Sequence, residues 1–181
     1  ILYNDIINLK NLELDGYTSC QVQRAFFPNG FGMTVMGRTL WNSKLSFNEI
    51  AEDYFKSTYG ESWRECYEYL DKLSELYFKL NLENKEDLIS GNNIELCDLI
   101  IRYLQQFKPV IESNMQRADK CHSVSWKYLK IHTQIWMDIT EIIKLLCENE
   151  TEKALHRWND FKNWIWLNED EYQPVLDVFN F

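Results

Sequence analysis

The chain has 181 residues, a formal charge of −9, 45% hydrophobic residues and 15% aromatics, including 7 Trp, 10 Tyr and 10 Phe. That aromatic load excludes a disordered chain, and 6 Gly with 3 Pro are too few turn-formers for an all-β architecture. No apolar run nears the roughly 20 residues of a membrane span, and an acidic balance without a basic stripe repels phosphate backbones, so neither membrane nor nucleic acid is an expected partner.

The first element is a helix. Leu2, Ile6 and Leu9 share one face at helical spacing, and Asp15-Gly16 is expected to stop the pattern. The run Tyr17-Thr18-Ser19-Cys20-Gln21-Val22 is β-branched and aromatic enough for a short strand. Helix, glycine turn and strand in that order is an α/β connection, whose sheet partners would lie elsewhere. Pro28 fits a first helical turn, and Phe31 to Trp41 reads as a helix whose small residues permit close backbone packing. Ser46-Phe47-Asn48-Glu49 is a capping box, opening a helix to about Thr58 with Ile50, Tyr54 and Phe55 inward and Gly60 as its C-cap.

Long helices follow. Trp63, Cys66, Tyr67, Leu70, Leu73 and Tyr77 form a stripe over four turns, and the polar stretch 81–93 is a connection holding at most a short turn. A second long helix starts near Ile94 with Cys97, Ile100, Ile101, Leu104 and Phe107 inward, and Pro109 is expected to kink or end it. A third runs from about Ser123 to Cys147 with Tyr128, Ile131, Ile135, Ile139, Ile142 and Leu146 inward. After a turn at Asn149-Glu150-Thr151, a fourth carries Ala154, Trp158, Phe161 and Ile165. Short links between long helices predict an antiparallel, up-down bundle.

Little of this pattern carries chemistry. Glu49, Glu52, Asp53, Glu61, Glu65 and Glu68 read as solvated charges on helix faces, not as a facing catalytic pair. His122, His132 and His156 are scattered; Cys121 and His122 are neighbours in sequence and point apart on a helix, and His132 reads as a half-buried, hydrogen-bonded residue beside the apolar stripe. The five cysteines form no C-x-x-C, and as small buried hydrophobes in odd number they point to a reducing compartment, hence the cytoplasm. No zincin, P-loop or nucleophile-elbow motif occurs, and neither metal nor cofactor is expected. Trp158, Trp164 and Trp166 read as core or interface residues before sugar platforms. Arg38, Trp41 and Asn42 follow the strand region and are the candidate ligand-binding residues.

The segment SCQVQRAFFPNGFGMTVMGRTLWN, the following LSFNEIAEDYFKSTYG and the tail from Glu169 to Val178 resemble the C-terminal part of the bacterial proteins called domain of unknown function 4838. G-R-x-x-W followed by L-S-x-x-E-I-A is also similar to a region of bacterial α-glucuronidases. The resemblance implies a glycoside-hydrolase-like parent with a TIM-type barrel preceding a helical region. Residues 1–42 would be the tail of the barrel and 43–181 a C-terminal helical bundle. Opening on Ile1 instead of Met agrees with a piece of a longer protein. The catalytic acids would lie upstream, so no catalytic residue is assigned here. The implied partners are the upstream barrel, a second copy in a homodimer, and carbohydrate. The expected role is non-catalytic, bracing the barrel or forming a subunit interface; the alternative is a stand-alone helical interaction module using its Trp-rich last helix.

Overall fold

The computed structural model describes residues 1–14, 18, 27–81, 84, 88–117 and 119–178. The chain is mainly helical, and its helices pack into a bundle. We number them α1 (Leu2–Leu9), α2 (Phe31–Trp41), α3 (Phe47–Tyr59), α4 (Trp63–Leu80), α5 (Ile94–Arg117), α6 (Lys120–Cys147), α7 (Thr151–Leu167) and α8 (Glu169–Tyr172). The strand expected over 17–22 lies outside the described residues apart from Thr18, which is exposed and belongs to no element.

Local sequence sets most of the helix ends. α1 passes into a 3₁₀ turn, Lys10–Leu12, and stops at Glu13, not at Asp15-Gly16. Glu13 adopts the left-handed conformation, φ 56°, while Glu13 N–H donates to Lys10 O at 3.2 Å and Leu14 N–H to Leu9 O at 3.1 Å. Those paired bonds satisfy the last carbonyls without a glycine. Pro28 stands ahead of α2, whose N-cap is Gly30, so it is not a first-turn residue. Ser46 does form the capping box: its N–H donates to Glu49 Oε2 at 2.8 Å, and Glu49 N–H donates back to Ser46 Oγ at 3.2 Å. Gly60 closes α3 at φ 70°, where a side chain would also meet the His122 ring at 3.3 Å.

Two expectations are corrected, and for Pro109 one of the two expected outcomes is excluded. The glycines of α2 do not serve close packing, because Gly32 and Gly37 are exposed and nothing stands within 4 Å of an added Cβ at either. Gly37→Ala should therefore stabilise the chain by about 1 kcal/mol through helix propensity alone, read as a higher midpoint in urea. Pro109 does not end its helix, since α5 continues to Arg117. The carbonyl freed by the missing donor belongs to Gln105, and both residues lie on the exposed side where water can replace the bond. Finally, α6 starts at Lys120, a turn earlier than Ser123, because the Asp119 carboxylate accepts from the N–H groups of Cys121 (2.9 Å) and His122 (3.1 Å).

Side-chain pairings define the directions of packing. Asp98 meets Lys144 and Met115 O meets Ser123, so α5 and α6 run antiparallel. Asp138 meets Arg157 and Lys127 meets Glu171, so α6 and the α7–α8 arm are antiparallel too. α6 is the central helix and buries two faces. One joins α3, α4 and α5 in a large core that includes Phe55, Tyr69, Leu76, Leu104 and Trp126; the other meets α7 and α8 through Ile131, Ile135, Ala154, Phe161 and Ile165. Packing also crosses from α2 into the bundle: Phe31 packs on the large core, and Gly30 N–H donates to Tyr54 Oη at 2.8 Å.

Candidate functional site

The three residues singled out in sequence sit together at the C-terminal end of α2. Arg38 pairs with Asp53 of α3, Trp41 is 92% exposed, and Asn42 caps the helix. Asn42 donates its backbone N–H to Arg38 O at 2.9 Å and accepts the Lys44 N–H on Oδ1 at 3.1 Å. Arg38 and Asn42 thus have structural partners, and only the Trp41 ring presents an unoccupied face.

Of the carboxylates read as solvated charges, Glu61, Glu65 and Glu68 are exposed, and Glu49, Glu52 and Asp53 have structural partners. Glu49 caps α3, which lowers its pKa through the Ser46 N–H and hydroxyl, and Glu52 pairs with Lys56. His122 is held by Asp119 Oδ2 against Nδ1 at 2.9 Å and by Ser57 O near Nε2 at 3.2 Å, which docks the start of α6 on the end of α3. It forms no pair with Cys121. Of the described cysteines Cys66, Cys97 and Cys147 are buried and Cys121 is exposed; burial pushes the Cys97 thiol up to about 12 and the Cys66 thiol higher still. Such thiols stay protonated and unreactive. Among the described residues no group of three His, Cys, Asp or Glu is placed to hold a metal ion, and no helix is long and apolar enough to cross a membrane.

Polar groups are concentrated along α6 instead. Tyr69 and Thr133 share a hydrogen bond of 3.0 Å, and Tyr77 reaches both the Thr140 hydroxyl and Trp136 O (3.2 Å). These contacts clamp α4 to α6 inside the core. On the opposite face Asp138, 6% exposed, accepts from Arg157 and from Gln134 Nε2 at 3.0 Å, while Arg157 also donates to Glu141 at 2.7 Å. Removing the guanidinium would strand a buried carboxylate. Arg157→Met should cost about 2 kcal/mol, less than for a fully buried pair because Arg157 is still partly exposed. Adding Asp138→Asn should recover most of that loss, as a double-mutant cycle in urea would show.

Of the hollows large enough for small molecules among the described residues, two are lined by α6. One, of about 410 Å³, is a partly open hollow bounded by the start of α2 and by α3, α4 and α6; Phe31, Phe55, Tyr67, Tyr77, Trp136 and His132 are among its walls. The other, of about 500 Å³, lies between α5, α6 and the α7–α8 arm, with Trp164 and Tyr172 at its floor and Lys127 paired to Glu171 at 2.6 Å on its rim. Sequence reasoning missed both, because each is assembled from helices far apart in the chain. His132 also differs from expectation. It is buried, not half-buried; its Nδ1 has no hydrogen-bond partner, and burial drives its pKa down to about 3.

Comparison of the chain with family models, with curated proteins and with solved structures yields no match.

Proposed function

We propose that these residues form a non-catalytic helical domain of a larger carbohydrate-active, glycoside-hydrolase-like protein, serving to brace a preceding barrel or to bury a subunit interface. The supporting observation is where apolar surface is left open. Of the thirteen large hydrophobic residues exposed among the described ones, six (Ile1, Leu2, Leu12, Leu14, Leu40 and Trp41) fall within the first 41 positions. Concentrated exposure of this kind is what a packed neighbour removes from water. In this reading 1–42 lead out of the barrel, and Arg38, Trp41 and Asn42 stand at the junction, where they meet the barrel or a sugar bound to it.

The test is the longer coding sequence and the isolated chain together. A preceding frame of alternating strands and helices is expected, and the 181-residue chain should leave aryl-glycosides untouched. Trp41→Glu in the longer protein should speed proteolysis between the two parts. Glycoside turnover by the chain alone, or a frame without such alternation, would overturn the reading.

A second reading has its own observation. Leu155 (60% exposed) and Trp166 (55%) lie on one side of α7, about three turns apart, with Leu167 beside them. The Lys162 ammonium lies 6.0 Å from the Trp158 ring and 5.9 Å from the Trp166 ring. That face would serve a stand-alone interaction module, and pull-down of a peptide partner lost in Trp166→Ala would favour it over the bracing role.

A further inference from the structure

We propose that the cavity between α2, α3, α4 and α6 is a binding site for a small uncharged phenol, its ring held among the aromatic walls and its hydroxyl hydrogen-bonded to His132. The inference stands on its own and does not depend on the carbohydrate reading.

Size comes first. A cavity of about 410 Å³ lies within the roughly 300–1,000 Å³ of small-molecule pockets, and a void of roughly 150 Å³ already accepts benzene. A single substituted ring therefore fits. The walls decide its character: Phe31, Phe55, Tyr67, Tyr77 and Trp136 present faces and edges to the space, and flat rings pack on such walls in offset or edge-on contacts.

His132 then selects the polar group. It is 9% exposed, and its ring is flanked by Phe27 at 5.9 Å and Trp136 at 6.2 Å, neither of which accepts or donates an ordinary hydrogen bond there. Nδ1 is sealed from solvent without a partner, so the Nε2 edge is the side of the ring left to meet an occupant. A hydroxyl brought to Nε2 adds a hydrogen bond worth about 0.5–1.5 kcal/mol that a hydrocarbon ring of the same size cannot make. Charge decides against acids. The imidazole stays neutral when buried, the described lining contains no Lys or Arg, and Asp71 adds a carboxylate at the mouth. A carboxylate ligand would find no counter-charge among the described residues, whereas a phenol needs none.

The test is calorimetric titration of the 181-residue chain, at about pH 7, with phenol, toluene and benzoate. Phenol should bind at least tenfold more tightly than toluene, and benzoate more weakly than either. His132→Leu should bring phenol and toluene within twofold of one another while toluene still binds. Gly32 lines the same cavity and has open space about an added Cβ, so Gly32→Phe should abolish both without loss of the far-UV helical signal. Equal affinity for phenol and toluene in the unaltered chain, tightest binding of benzoate, or a phenol preference that survives in His132→Leu would each overturn the proposal. Should His132→Leu fail to fold, undiminished phenol binding by a folded Gly32→Phe chain would do the same.

Discussion

Trp126→Ala is expected to lower the unfolding free energy by about 3–5 kcal/mol, more than any other single truncation in this core. Trp126 has no exposed surface, stands in the first third of α6, and packs edge-on against Tyr59 with ring centroids 5.2 Å apart. Its Nε1–H donates to Tyr59 O at 3.1 Å, one of the last carbonyls of α3, where the ladder of that helix has ended. Truncation therefore opens a cavity and also removes a buried hydrogen bond. Trp126→Phe separates the two effects: most of the packing remains, and the cost should fall to about 1–3 kcal/mol for the lost bond. Chemical denaturation with matched slopes measures both. Equal losses for the two variants would mean that the hydrogen bond, not the packing, governs this junction.

The second large effect is acid instability through His132. Burial depresses its pKa to about 3, against about 6.5 for an exposed imidazole. Between those values the unfolded chain takes up a proton that the native chain refuses, so the unfolded state binds more protons and stability falls as pH falls. Above about pH 6.5 the residue is neutral in both states and contributes no pH dependence. From there towards about pH 3 the slope approaches about 1.4 kcal/mol per pH unit, on the order of 4 kcal/mol in all. Among the described residues the other ionisable groups facing the same space are Asp71, Tyr67 and Tyr77; the two tyrosines are raised by burial and do not titrate in this window. Carboxylates lowered by their partners, such as Glu75 between Lys72 and Lys79, also lose their stabilising pairs in acid. The difference between the unaltered chain and His132→Leu isolates the imidazole. Parallel stability curves from about pH 8 to about pH 4 for the two would rule it out as the source.

These two residues show where sequence reading reaches its end. The stripe Tyr128, Ile131, Ile135, Ile139, Ile142 and Leu146 is one real face of α6, the one that meets α7 and α8. Trp126, Leu129, Met137 and Ile143 form the other, and they break the simple helical pattern because a helix buried on both sides has no polar side to mark the contrast. Tyr69, Leu76 and Leu80 of α4 were likewise hidden behind the more obvious stripe. Arg38 and Asn42 were legible as polar residues at a helix end, but their engagement with Asp53 and Lys44 was not.

By itself the sequence determined the helical class, the capping box at Ser46, the glycine stop at Gly60, the inward stripe of α7 and that of α5 except Ile101, since each depends on residues within a turn or two of one another. Only the tertiary structure decided that α6 is central, that Thr133, Thr140 and Asp138 are clamps inside a core, and that His132 is shut away beside an aromatic cavity. For Thr133 and Thr140 the partners lie on a helix far along the chain. Periodicity reports which way a side chain faces on its own helix, and it carries no record of what packing brings against that face.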